Sequence, residues 1–123
     1  MILWRSDRGA AAVEFALVVP ILLALLLGII EFGRAYNVQI SLTHAARESA
    51  RYMAIQEEWE GAMQQGISAA PTVALKKSHF VLTPKSCDEL PDAKVVVTYP
   101  LETLTGIGDG LTLTGEAAMR CGG

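Results

Sequence analysis

Glu14 is the one charged residue in the run GAAAVEFALVVPILLALLLGII from Gly9 to Ile30, and it lies five positions past a glycine. An ionised carboxylate about 7 Å inside an apolar span is unfavourable by about 1–3 kcal/mol, less than at mid-bilayer because it sits near one edge. Two readings accommodate it. In the first, the carboxylate lies at the headgroup boundary and is simply hydrated. In the second, a cation neutralises it. A cut after Gly9 would supply that cation, because Ala10 would become a new amino terminus and Glu14 the fifth residue of the product. Residues four apart share a helix face, so the carboxylate would meet its own terminal ammonium or that of an adjacent copy.

The remaining candidates for chemistry read as structure. Cys87 and Cys121 fit no zinc spacing. In an exported domain they would either close a disulfide, stabilising by about 3–4 kcal/mol in the chain-entropy model, or remain two buried thiols. His44 and His79 have no second ligand at metal-binding spacing, so no metal site is expected. Ser86, Cys87, Asp88 and Glu89 place a nucleophile beside acids but lack a paired base and read as a polar turn. GIGDG at Gly106–Gly110 precedes a strand pattern and lacks a phosphate-loop lysine, so it reads as a turn as well. Arg47 and Arg51 share a helix face and read as a solvated stripe with Glu48, ahead of binding acids on a partner subunit. No catalytic residue, cofactor or small-molecule substrate is expected, and the chain is not expected to be an enzyme.

The elements that must position Glu14 follow from composition and periodicity. The chain has 123 residues, 51% of them hydrophobic, with the excess concentrated in the first quarter. That concentration reports a membrane segment and not a large core. A net charge of −3 without any dense Lys/Arg cluster argues against a nucleic-acid partner. As a helix, Ala10–Ile30 would cover about 31 Å, one crossing of a bilayer. A cleaved secretory signal fits less well, because its apolar core runs about 7–15 residues. Pro20 sits mid-span and is expected to kink or loosen the helix there. Ala12, Ala16, Ala24 and Gly28 fall at intervals of four or multiples of it, a weak signal for close helix approach. Arg5 and Arg8 precede the span, whereas Glu31 and Arg34 after it nearly cancel, so the amino terminus is expected to stay cytoplasmic.

Beyond Ile30 the helical pattern continues. Val38, Leu42, Ala45, Ala46, Ser49, Ala50 and Met53 recur at three- and four-residue intervals, which predicts one helix from Ala10 to Glu58. Glu57–Gln65 ends that helix or forms a short separate one, with Gly66 and Pro71 as punctuation. His79–Thr83, Lys94–Tyr99 and Leu111–Gly115 have β-branched and alternating character between proline and glycine breaks. The expected fold is therefore α+β: a long N-terminal helix, transmembrane then amphipathic, packed in its outer half against a small antiparallel sheet. Trp59 is expected at the helix–sheet packing and Tyr36 at the membrane interface.

The short basic leader ending in glycine (Arg5, Arg8, Gly9), then a span with Glu14 at its fifth position and Phe15 beside it, resembles the processing site of type IV prepilins. The block RGAAAVEFALVVPILLALLLGIIEFGRAYN, followed by THAARESARYMA and ending in GEAAMR, is similar in particular to the TadE-like family, minor pseudopilins of the tight-adherence pilus system. The resemblance implies cleavage between Gly9 and Ala10 by a membrane prepilin peptidase. It further implies a mature helix that joins other pilin or pseudopilin subunits at the inner membrane or in a pilus, with the C-terminal domain outside the cytoplasm. Gly9 would let the peptidase approach the backbone closely. Ala10 departs from the large hydrophobe usual at a pilin terminus. The implied organisation is a leader at 1–9, a membrane helix at 10–30, an outer amphipathic helix at 31–58 and a small α+β domain at 59–123. The competing reading is a single-span envelope protein that is never processed and whose outer domain binds a ligand or partner.

Overall fold

A run rich in alanine and leucine, with no β-branched cluster long enough to favour a strand, propagates as helix even through a proline. The computed structural model describes residues 4–83, 88 and 91–122 and shows this helix, α1, over Trp4–Gln56 with Pro20 inside it. It begins six residues before the expected Ala10. Asp7 lies in its first turn, where a carboxylate complements the positive end of the helix, and Gly9 does not interrupt it. The chain divides into two compact units, Met1–Gly33 and Arg34–Gly123. The described part of the first unit is helix alone.

In the second unit, helix residues from Arg34 onward bury one stripe: Leu42, Ala45, Ala46, Ser49, Ala50, Met53 and Ala54. Only Leu42 and Met53 among these are large, so the partner elements approach close to the helix backbone. α1 ends where Glu57 takes a positive φ of 52° while its N–H still bonds the Met53 carbonyl at 2.9 Å. A left-handed residue at this place stops the helix and satisfies a terminal carbonyl. A second helix, α2, follows at Trp59–Ala69. Gly66, expected to break the chain, lies inside α2. A Cβ there would come within 2.5 Å of the Phe80 ring and of Ser49 Oγ, so the glycine sets a close approach and ends nothing. The Ser49 hydroxyl donates to the Ala62 carbonyl, which ties α1 to α2 across a buried contact.

Three strands complete the unit, in the order β1–β2–β3: Phe80–Thr83, Asp92–Pro100 and Thr112–Arg120, antiparallel throughout. Phe80 and Leu82 of β1 and Ala93, Val95 and Val97 of β2 enter the core, where Trp59 and Tyr99 pack against them. Alternation sends Val81, Thr83 and Lys94 outward. β3 runs five residues past the expected end at Gly115, because Ala117, Ala118 and Met119, good helix formers, pair with Val95, Lys94 and Ala93 of β2.

Gly115 marks the closest approach of sheet to helix. A Cβ at this position would stand 2.5 Å from the Leu42 carbonyl carbon and 2.6 Å from the Thr43 nitrogen. Backbone cannot move aside as a flexible side chain can. Gln39 Nε2 donates to the Thr114 carbonyl at 2.7 Å one residue away, which fixes the same seam. Gly115→Ala is therefore expected to destabilise the second unit by about 1–3 kcal/mol, lowering its melting temperature by about 4–8 °C per kcal/mol. Thermal unfolding of the full chain in detergent checks this. Gly9→Ala, with open space around the added methyl, should leave that transition in place.

Candidate functional site

Gly9, Ala10, Glu14 and Phe15 all lie on α1 and are all exposed, Phe15 at 71%. On the helix Gly9 and Glu14 stand on consecutive turns, and it is Ala10, four residues before Glu14, that shares its face. Arg8 is exposed as well; Arg5 lies in α1, with its side chain outside the described residues. Nothing lies within 4 Å of a Cβ built at Gly9, so packing in this chain does not require the glycine. Gly28 and Gly33 have equally open surroundings.

Among the described residues, none covers the apolar segment that carries Glu14. From Val13 to Ile30 every large hydrophobic side chain except Val19 is exposed, Leu17 and Ile21 at 67% each. Pro20 is exposed too, and the helix continues through it. The helix is long and apolar enough to cross a membrane, and no residue of its most apolar 18-residue window is buried. Thirteen residues of Ala10–Ile30 are Leu, Ile, Val or Phe. At roughly −0.3 to −0.6 kcal/mol each in a bilayer they contribute about −4 to −8 kcal/mol, which outweighs the cost of Glu14 near one end.

Other expected residues fall elsewhere. Cys87, Ser86 and Glu89 lie outside the described residues, and with Cys87 the expected Cys87–Cys121 pairing. Cys121 is half-buried beside the core, and no free cysteine occurs among the described residues. His79 packs edge-on against Tyr99 with ring centres 5.3 Å apart, and its Nδ1 accepts the Lys76 N–H at 3.0 Å. That contact gives it a structural place at the start of β1. Trp59 packs on the core as its aromatic bulk suggested, and Tyr36 is 61% exposed. Arg47 and Arg51 are exposed on α1.

The loop joining β2 to β3 holds what sequence reasoning took for a plain turn. Its neck is closed by the Leu101 N–H on the Leu111 carbonyl at 2.8 Å, continuing the ladder one pair beyond Pro100 and Thr112. Gly106, Gly108 and Gly110 all have positive φ, a conformation that L side chains rarely adopt. The Asp109 carboxylate accepts from the Thr103 N–H at 3.1 Å and from its hydroxyl at 2.9 Å. The backbone hydrogen bond from Thr103 first, then the hydroxyl, hold this carboxyl below its usual pKa. An aspartate between two glycines, Gly108 and Gly110, was the available signal, but it does not say which donor the aspartate reaches.

Neither a curated protein nor a solved structure shows a significant match to the chain. A depressed folded-state pKa means that the Asp109 contribution is present above the unfolded value of about 3.9 and is lost as pH falls through the folded value. The Thr103 amide resonance of the full chain in detergent micelles should therefore follow the Asp109 titration with a midpoint below the ordinary aspartate value. Asp109→Asn should abolish that movement, and a midpoint above the ordinary aspartate value would contradict the pinning. An apolar helix headed by glycine and glutamate, continuous with an alanine-rich stripe, is what the family comparison also registers: residues 9–51 match the model of the TadE-like protein family.

Proposed function

We propose that the chain is a pilin-like structural subunit of the Tad pilus assembly system, processed between Gly9 and Ala10 by a prepilin peptidase. The TadE-like match supports the association with the Tad pilus. The observation that carries the finer reading is Glu14, a carboxylate five residues past a glycine that the fold does not need, at the head of an uncovered apolar helix. In this reading Arg5 and Arg8 keep the leader at the cytoplasmic face. The helix lies in the inner membrane, and the unit of helix and sheet faces away from the cytoplasm.

Cleavage would remove Arg5, Asp7 and Arg8 together, shifting the net charge from −3 to −4. It would also place an ammonium one helical turn from Glu14. Neutralisation by a neighbouring subunit's terminus would convert an isolated cost into a contact that sets the register of packed helices. The chain's own role is to be cut, inserted and assembled, and no residue is assigned a catalytic part.

One observation favours the unprocessed single-span alternative. α1 begins at Trp4, so the Gly9–Ala10 bond lies within helical backbone. A peptidase needs that bond exposed along its length, and Gly9, the weakest helix former in the first two turns, is where unwinding costs least.

Intact-mass analysis of protein made together with an active prepilin peptidase separates the two readings. Loss of residues Met1–Gly9 is expected, and a full-length product contradicts processing. Glu14→Gln should leave membrane insertion unchanged and reduce pilus assembly. Normal assembly by this variant would favour the anchored, unprocessed protein.

A further inference from the structure

We propose that Asp109–Gly110 is a site of aspartate isomerisation through a cyclic imide, and that the grip of Thr103 on the Asp109 carboxylate holds the reaction off in the folded protein. The reaction needs a side-chain carboxyl within reach of the next backbone nitrogen, and it is easiest where the residue carrying that nitrogen has no Cβ. Asp109 is the one aspartate of the chain that glycine follows; Asp7, Asp88 and Asp92 precede Arg8, Glu89 and Ala93, and the single asparagine, Asn37, precedes Val38.

The surroundings leave the pair accessible. Asp109 and Gly110 are both exposed, and nothing lies within 4 Å of a Cβ built at Gly110. The Leu111 N–H returns to the Gly108 carbonyl at 3.2 Å, so Asp109 and Gly110 are the central pair of a four-residue turn. Gly110 takes a φ of 95° at its third position, where glycine is favoured. Crowding by neighbours therefore does not protect the bond.

The chemistry is closed without any outside reactant but water. The Gly110 nitrogen bonds to Asp109 Cγ and gives up its proton, while a carboxyl oxygen leaves with its own proton and that one as water. Water then adds to one of the two imide carbonyls. Opening at Cγ restores aspartate, whereas opening at the main-chain carbonyl routes the chain through Cγ as isoaspartate, of unchanged mass. Only a neutral carboxyl free to turn toward Gly110 can lose water in this way.

Thr103 opposes both conditions. Its N–H donates to Asp109 Oδ1 at 3.1 Å and its hydroxyl at 2.9 Å. Oδ2 stands 3.7 Å from where a Cβ at Gly106 would lie. Both oxygens are thus engaged with residues earlier in the loop, and the two donors favour the charged form. Isomerisation has to wait for this loop to open locally.

Incubation of the full-length protein in detergent, in weakly acidic buffer at body temperature for several weeks, tests this against a capped peptide of residues 101–111 as the unfolded reference. Peptide mapping with electron-transfer fragmentation separates the two isomers at position 109. The peptide is expected to isomerise several-fold faster than the protein. Thr103→Val, which deletes the hydroxyl donor but keeps the methyl beside Gly108, is expected to isomerise several-fold faster than the wild type. Hydrogen exchange at the Leu101 amide, bonded to the Leu111 carbonyl, reports whether the neck of the loop stays closed. Faster isomerisation with that exchange unchanged supports the proposal. Equal rates in protein and peptide, or in wild type and variant, overturn it. Acceleration matched by faster Leu101 exchange also overturns it, because closure of the neck and not the Thr103 grip would then be the protection.

Discussion

An uncovered apolar surface from Val13 to Ile30 is the constraint on which the rest of this molecule depends. The sheet and second helix pack instead on the stretch of α1 from Arg34 onward, where Leu42, Ala45, Ala46, Ala50 and Met53 are buried. A helix serving two solvents needs two kinds of surface. Here the first is leucine- and isoleucine-rich all round, and the second is a narrow stripe of small residues.

The small residues have a structural consequence. Alanine at three successive turns of α1 and glycine at 66 and 115 let backbone and ring atoms approach where a methyl would collide. The core is thin, and its specificity lies in those approaches more than in large interlocking side chains. Two side-chain hydrogen bonds, Ser49 to Ala62 and Gln39 to Thr114, mark the seams of α1 with α2 and with β3. These seams hold the strand ladder along α1, and so decide which end of the unit carries the β2–β3 loop.

Most of the second unit's fold was legible because its signals are periodic. The stripe from Val38 to Met53 and the alternation in Lys94–Tyr99 each name an element and the face it buries. What stayed hidden depends on contacts with distant residues. Ala117–Met119 read as helix formers, and only pairing with Val95–Ala93 makes them strand. Gly66 reads as a breaker until Phe80 and Ser49 are seen against it. The Glu57 conformation and the helical start at Trp4 carry no signal strong enough to locate them. At the candidate site, spacing alone singles out Gly9 and Glu14. The Asp109 pin in the loop was not legible, because a short glycine-rich run does not specify which backbone donor its acid will reach.

The proposed function rests on a carboxylate at the edge of an apolar helix that an amine created by cleavage would neutralise. Zero-length carbodiimide coupling of processed protein within its native membranes tests this most directly. The account predicts an amide bond between the Ala10 amine and the Glu14 carboxylate, in one chain or between neighbouring copies, recovered as a linked peptide by mass spectrometry. Recovery of Glu14 coupled only to added amine, with the Ala10 terminus free, would contradict it.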